Sequence, residues 1–69
     1  MSAIRKKFAK NLKQVREKRG ITQEKLAEKL KISARYVQQL EGKRVPNVKL
    51  DTIAGLAKVL NVEPRDLLA

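Results

Sequence analysis

The chain has no cysteine, no histidine and no tryptophan, and its 69 residues include only three glycines and two prolines. Without cysteine there are no disulfide bonds, and without cysteine and histidine the common metal sites built from these residues are excluded. Aromatic side chains make up 3% of the residues. The folded state must therefore be stabilised by packed aliphatic side chains, in a chain that can bury only about 60% of its extended surface.

Long apolar runs are also missing. No stretch approaches the roughly 18 apolar residues that a membrane helix requires, and the charged N-terminus has no apolar segment of the signal-peptide type. We therefore expect a soluble cytoplasmic protein, associated with the nucleoid if its source is prokaryotic, with no membrane partner. The chain also has no glycine-rich phosphate loop, so we expect no enzyme, no catalytic residue, no metal and no cofactor.

Positive charge is abundant. Seventeen Lys and Arg residues outnumber seven Asp and Glu residues, which gives a net charge of +10. Self-repulsion at this level destabilises a small domain, and a polyanionic partner would relieve it. Nucleic acid is the commonest such partner. Part of this charge lies in the first helical segment, at Arg5, Lys6, Lys7, Lys10, Lys13, Arg16, Lys18 and Arg19.

Apolar residues recur at helical spacing along the whole chain, and almost no stretch has the period of two that is typical of strands. The pattern predicts an all-α fold, a compact bundle of five helices in one domain over residues 1–69. The expected helices span residues 3–19, 22–30, 33–41, 48–60 and 64–68.

Two of these helices have clear apolar faces. The first helix carries a stripe formed by Ile4, Phe8, Leu12 and Val15. The buried side of the fourth is expected to comprise Leu50, Ile53, Leu56, Ala57 and Leu60. We predict left-handed residues at Gly20, Gly42 and Asn61 after the ends of three helices, a cap at Asn47 for the fourth helix, and close packing of a neighbour at Gly55.

The third helix has two chemically distinct sides. At about 100° per residue, Val37 and Leu40 fall together on one side. The other side carries a guanidinium and two carboxamides, from Arg35, Gln38 and Gln39. Ala34 and Tyr36 lie on the two borders. Such groups can read base edges in the DNA major groove, which accepts one α-helix, although a solvated polar face would show the same pattern.

The chain resembles the Cro and phage-repressor type of helix-turn-helix domain, also named for the xenobiotic response element repressor, in three stretches: ITQEKLAEKL, ISARYVQQLEGKR and IAGLAKVLNVEPRDLL. The resemblance covers about residues 4–68, with the family's spacing between the stretches. It implies a lambda-repressor-like bundle in which helices two and three form the helix-turn-helix and helix three enters the major groove.

The resemblance also implies roles for individual residues. The positions that face bases are Ala34, Arg35, Gln38 and Gln39. The positions that contact the DNA backbone are Gln23, Ser33, Tyr36, Lys43, Arg44 and Asn47. The expected function is a sequence-specific transcriptional regulator of the repressor kind, which binds double-stranded DNA at a palindromic operator as a homodimer. Leu67 and Leu68 are candidates for the dimer contact, or else they close the core.

Two features depart from the family pattern. Lys31 stands where most members have glycine in the turn between helices two and three, so a left-handed backbone there costs on the order of 1 kcal/mol. In addition, Gly42 comes one place early and the loop that follows is longer. The predicted backbone roles of Lys43, Arg44 and Asn47 depend on how this loop folds.

A second class of function uses the same fold. A protein-interaction module, such as a coactivator or an antitoxin, would depend on an apolar patch and would bind DNA weakly or without sequence preference. An enzyme has less support, because the carboxylates of Glu17, Glu24, Glu28 and Glu41 are expected on solvated helix faces beside cations rather than as an acid–base pair.

Overall fold

The computed structural model describes residues 2–69, and within that range it contains five α-helices and no strand. The helices are α1 (Ala3–Lys18), α2 (Gln23–Leu30), α3 (Ala34–Leu40), α4 (Leu50–Leu60) and α5 (Pro64–Leu68). The predicted all-α, five-helix fold is confirmed. The predicted domain also includes residue 1, which lies outside the described residues.

One aliphatic core joins the helices. Its buried members are Phe8, Ala9, Leu12, Leu26, Ala27, Val37, Leu40, Val45, Ile53, Leu56, Ala57, Leu60 and Leu67. α1 packs against α5 and α3, α2 packs against α3 and α4, and α4 packs against α5. The bundle measures 27 × 23 × 21 Å.

The helix ends follow the predictions at two of three places. Gly20 and Asn61 are left-handed, with φ of 69° and 58°. Gly42 is not left-handed, because α3 ends at Glu41 in a right-handed conformation, with φ of −97° and ψ of 0°. A Cβ atom on Gly42 would lie 3.2 Å from the carbonyl oxygen of Gln38. Glycine at this position therefore permits close backbone approach rather than a left-handed turn.

The start of α4 differs from the prediction. The helix begins at Leu50 instead of residue 48, and its cap residue is Lys49, which makes no side-chain capping hydrogen bond. Asn47 does not cap it, since its side-chain oxygen accepts a hydrogen bond from Arg5. Leu50, predicted to be buried, is 81% exposed, and Ile4 in the first turn of α1 is 55% exposed. Both lie at the first turns of their helices, beyond the edge of the core.

Gly55 allows α2 and α4 to approach closely, as predicted. A Cβ atom on Gly55 would lie 3.0 Å from the Cδ2 atom of Leu30.

Across residues 2–69, every helix is too short or too polar to cross a membrane.

Candidate nucleic-acid interface

The polar side of α3 faces outward. Val37 and Leu40 are fully buried, which fixes the rotation of the helix about its axis. The opposite side exposes Arg35, Gln38 and Gln39, which we call the reading face. No side chain of the reading face makes a hydrogen bond or an ion pair with residues 2–69. The donors and acceptors of these side chains are therefore available to a binding partner.

Residues on the borders of α3 are only partly exposed. Ala34 and Tyr36 are half-buried and pack against the core. Ser33 caps the helix, and its Oγ atom accepts a hydrogen bond of 3.0 Å from the N–H group of Tyr36. The Ser33 side chain remains exposed, and its hydroxyl group can still donate. These residues lie where they could contact the edge of a groove.

The turn between α2 and α3 keeps the geometry that the family's glycine would allow. Lys31 is left-handed, with φ of 57° and ψ of 41°. The N–H group of Ile32 donates to the carbonyl oxygen of Ala27 over 3.0 Å, and the Ile32 side chain is half-buried against the core. Lys31 therefore adopts the left-handed conformation that glycine would take at this place in the turn.

A buried ion pair joins α1 to the end of α3. The Nε atom of Arg16 lies 2.6 Å from Oε2 of Glu41, and its Nη2 donates to Oε1 over 3.1 Å. A third nitrogen of the guanidinium donates to the carbonyl oxygen of Ile21 over 2.8 Å. The side chains are 11% and 3% exposed. One guanidinium thus connects α1, the residue before the α2 cap and the residue that ends α3.

Both members of this pair were misplaced by the sequence analysis. Arg16 was grouped with the other basic residues of α1 and was not predicted to be buried, and Glu41 was expected on a solvated face. A signal for Arg16 is present, because it continues the spacing of four residues that relates Phe8 to Leu12, which are both buried. Glu41 gives no such signal, because its burial depends on packing against α1, which lies in a distant part of the sequence.

The ion pair also favours the charged form of Arg16. The hydrogen bond with Glu41 raises the pKa of the guanidinium above its usual value, while burial acts in the opposite direction. The hydrogen bond is the larger of the two effects.

Gln23, a predicted backbone contact, belongs to the same network. Its Nε2 atom donates to Oε1 of Glu41 over 3.0 Å, and its side chain is half-buried at the start of α2. A carboxamide nitrogen carries two N–H groups. One is used by Glu41, and the other is directed away from that carboxylate by the planar geometry of the amide.

The remaining predicted backbone contacts lie in the loop after α3. Lys43 and Arg44 are exposed, and the buried Val45 anchors the loop in the core. The side-chain oxygen of Asn47 accepts a hydrogen bond from Arg5 of α1. This contact fixes the loop against α1 and leaves the amide nitrogen of Asn47 as the group that could reach a phosphate.

A helix-turn-helix family model matches residues 12–67, which is most of the chain. The chain belongs to the helix-turn-helix family. This confirms the resemblance identified in the three sequence stretches.

Individual relatives support the assignment. Control protein C.BamHI of Bacillus amyloliquefaciens is 38% identical over 66 residues, which are 94% of this chain and 80% of that protein. The restriction-modification controller protein C.AhdI from Aeromonas hydrophila is similar in structure, with a TM-score of 0.85, 36% identity and coverage of 96% of this chain and 98% of that one. A hypothetical transcription factor, NHTF from Neisseria, has a TM-score of 0.86 and 34% identity, and the match covers 94% of this chain and 72% of that one. Like the family to which it belongs, the chain is a DNA-binding regulator of transcription.

The predicted dimer contact is only partly on the surface of this helix-turn-helix domain. Leu67 is fully buried and closes the core, so it offers no surface to a partner. Leu68 is half-buried and lies in an open groove of about 360 Å³, which also includes Leu50 and Ile4. We call this feature the apolar groove. Its lining residues are Ser2, Ile4, Arg5, Phe8, Val45, Pro46, Asn47, Val48, Leu50, Ile53 and Leu68.

Proposed function

We propose that this helix-turn-helix protein reads specific DNA sequences by placing α3 in the major groove, and that it represses transcription by occupying its operator. The observation that carries the proposal is the reading face. It presents one guanidinium and two carboxamides outward from a helix whose other side is buried. A free Arg side chain can donate two hydrogen bonds to one guanine, and a Gln side chain can pair with an adenine.

Base reading and backbone binding are assigned to different residues. Arg35, Gln38 and Gln39 read bases, with Ala34 beside them in contact with a base edge or a thymine methyl group. Ser33 and Tyr36 face the backbone at the two borders of α3. Gln23, Lys43, Arg44 and Asn47 contact phosphates on either side, and the positive charges of Lys43 and Arg44 provide affinity without sequence preference.

The proposal includes a homodimer on a palindromic operator. One domain of this size covers only a few base pairs, and two-fold operators match proteins that dimerise. Leu50 and Ile4 are exposed beside Leu68, and aliphatic side chains grouped in this way mark interaction surfaces. We assign the dimer contact to Ile4, Leu50 and Leu68 of the apolar groove rather than to Leu67, which the core already buries.

The cellular setting follows from the partner. A protein that regulates transcription works where the DNA is, which is the cytoplasm, and the nucleoid in a prokaryote. We assign it no catalytic reaction, since its function is accounted for by DNA binding. A protein-interaction module on the same fold would not need the reading face. Variants of the reading face therefore distinguish this alternative from a regulator that reads DNA sequence.

The test measures the binding of purified variants to a duplex selected by the wild-type protein from random sequences. Replacing Arg35 by Ala should reduce the preference for the selected duplex over random DNA by about tenfold or more, because a bidentate contact with a base contributes about 1–3 kcal/mol. Replacing Lys43 by Ala should weaken binding to both duplexes equally and reduce the salt slope by about 1.

Arg65→Ala provides the matched control. Arg65 is exposed on α5, which packs against α1 and α4, so this variant loses the same charge away from the reading face. It should retain the wild-type preference. If Arg35→Ala loses affinity equally on selected and random DNA, Arg35 does not read bases. If the reading-face variants bind as wild type does, the protein-interaction alternative is favoured.

A further inference from the structure

We propose that α1 holds a DNA phosphate of its own, in a basic cleft between α1 and the segment that follows α3. This inference rests on the proposed function and adds a backbone contact that lies outside the helix-turn-helix itself. The residues that line the cleft, which we call the α1 cleft, are Lys6, Ala9, Lys10, Glu41, Gly42 and Lys43.

The shape of the α1 cleft suits a small oxyanion. It is open to solvent and has a volume of about 470 Å³. Ala9 is buried beneath it, and Gly42 adds no side chain. Small residues at these two positions leave room between the lysine side chains of α1 and Lys43, so a phosphate group can enter without displacing a bulky residue.

The charge of the α1 cleft is positive and uncompensated. Lys6, Lys10 and Lys43 are exposed, and their ammonium groups make no ion pair with any of residues 2–69. The one carboxylate in the lining belongs to Glu41, and Arg16 neutralises it at 2.6 Å. Three lysines without an ion-pair partner among residues 2–69 therefore line one concave surface, where their charges attract an anion more strongly than scattered charges would.

The position of the α1 cleft identifies the anion. Glu41, Gly42 and Lys43 follow directly after the last residue of α3, so the cleft lies at the end of the helix that carries the reading face. A helix in the major groove is flanked by the phosphates of both strands. DNA held by α3 would therefore continue past the cleft, and a backbone phosphate is the ligand that this geometry favours.

The cleft on the opposite side of α1 differs in charge, because the exposed carboxylate of Asp66 lines it together with Lys18 and Arg19. The side-chain nitrogen of Asn11 donates to the carbonyl oxygen of Ala69 over 2.8 Å, so this side faces the end of α5. Lys18 lies beside Val62 and Asp66 there, and Lys7 precedes Asn11 by one helical turn. The cations of α1 are thus divided by the fold into a set that faces α3 and a set that faces α5.

The test compares two double variants of the full chain. Lys6→Ala with Lys10→Ala removes both α1 lysines of the cleft, while Lys7→Ala with Lys18→Ala removes two exposed lysines from the α5 side. Both lose the same charge from one helix, and alanine favours helix formation. Thermal unfolding should show that both fold. Affinity for the selected duplex and for random DNA is then measured across a range of salt concentrations.

The cleft variant should bind both duplexes about fivefold more weakly at about 0.15 M salt, with a salt slope shallower by about 0.9, as the loss of one phosphate contact predicts. The α5-side variant should keep the wild-type slope. Ethylation of single phosphates localises the contact: at one position it should impair wild-type binding and have no further effect on the cleft variant.

Equal losses in the two double variants, with no position lost from the ethylation pattern, would show that α1 contributes only general charge. That result would refute the phosphate contact at the α1 cleft, and it would not affect the assignment of base reading to α3. If the wild-type protein does not bind duplex DNA in modest salt, both the phosphate contact at the α1 cleft and the proposed function are wrong.

Discussion

Lys31 occupies a backbone conformation that glycine adopts more readily. Its φ of 57° and ψ of 41° place it in the left-handed region, where a Cβ atom costs about 1–2 kcal/mol. The residue is exposed, so nothing in the core compensates for this strain. The left-handed conformation allows the N–H groups of Lys31 and Ile32 to donate to the carbonyl oxygens of Glu28 and Ala27 at the end of α2, and these hydrogen bonds offset part of the cost.

Replacing Lys31 by Gly should therefore increase the free energy of unfolding by about 1 kcal/mol, measured by urea denaturation. Asn61→Gly is the matched control, since Asn61 has φ of 58° at the end of α4. Asparagine tolerates this region better than lysine, so the control should gain less. A Lys31→Gly protein that is less stable than wild type would mean that the turn is not strained.

Arg16 is a buried side chain that can contribute both to the stability of the fold and to DNA binding. Its guanidinium makes three hydrogen bonds, two to Glu41 and one to Ile21. Glu41 in turn accepts from Gln23. A residue with no surface for DNA thus determines where a predicted phosphate contact points.

Among the helices, the connection of α1 to the end of α3 is the contact whose loss can be tested most directly. Replacing Arg16 by Met leaves the carboxylate of Glu41 buried without a counter-charge, and the free energy of unfolding should fall by about 3 kcal/mol. Arg16→Met with Glu41→Leu removes both charges. This pair should recover stability to within about 1 kcal/mol of wild type, because an apolar pair of similar volume avoids the desolvation cost.

The two variants also separate folding from positioning. In the stable double variant Gln23 has lost its acceptor, so we expect weaker binding to selected and random duplexes alike, measured by titration at fixed salt. Wild-type affinity in that variant would show that the Glu41 contact does not position Gln23. Full stability of the Arg16→Met single variant would instead show that the ion pair is not buried in solution.

For the molecule as a whole, the proposed homodimer through the apolar groove would let a domain of 27 × 23 × 21 Å bind both half-sites of a palindromic operator. Within residues 2–69, Leu50 is the most exposed large apolar residue, at 81%. Leu50→Lys should weaken the homodimer at least about tenfold, because it brings a charge into each half of a two-fold contact. Sedimentation equilibrium measures the dissociation constant.

Gln14→Lys serves as the control for that variant. It adds the same charge at an exposed position of α1 that does not line the apolar groove, and it should dimerise as wild type does. Equal dimerisation of the two variants would move the interface elsewhere. A monomeric wild-type protein that selects a single half-site would rule out the homodimer.

Much of this protein was determined by the sequence alone, because helical periodicity is a local property. The spacing of Val37 and Leu40 predicted that Arg35, Gln38 and Gln39 share the other side of α3, and the structure exposes all three. Gly20 and Asn61 predicted left-handed helix ends, which are present. The helix-turn-helix family was identified separately, from the resemblance of three sequence stretches to known members.

Tertiary structure decided which faces are covered. Arg16 and Glu41 are 25 residues apart and become buried only because α1 packs against the end of α3. Leu67 closes the core while Leu50, equally apolar, remains outside it. The lysines of α1 are likewise separated by whether α3 or α5 packs beside them. Local spacing determines which residues share a face, but burial depends on a second element that arrives from elsewhere in the chain.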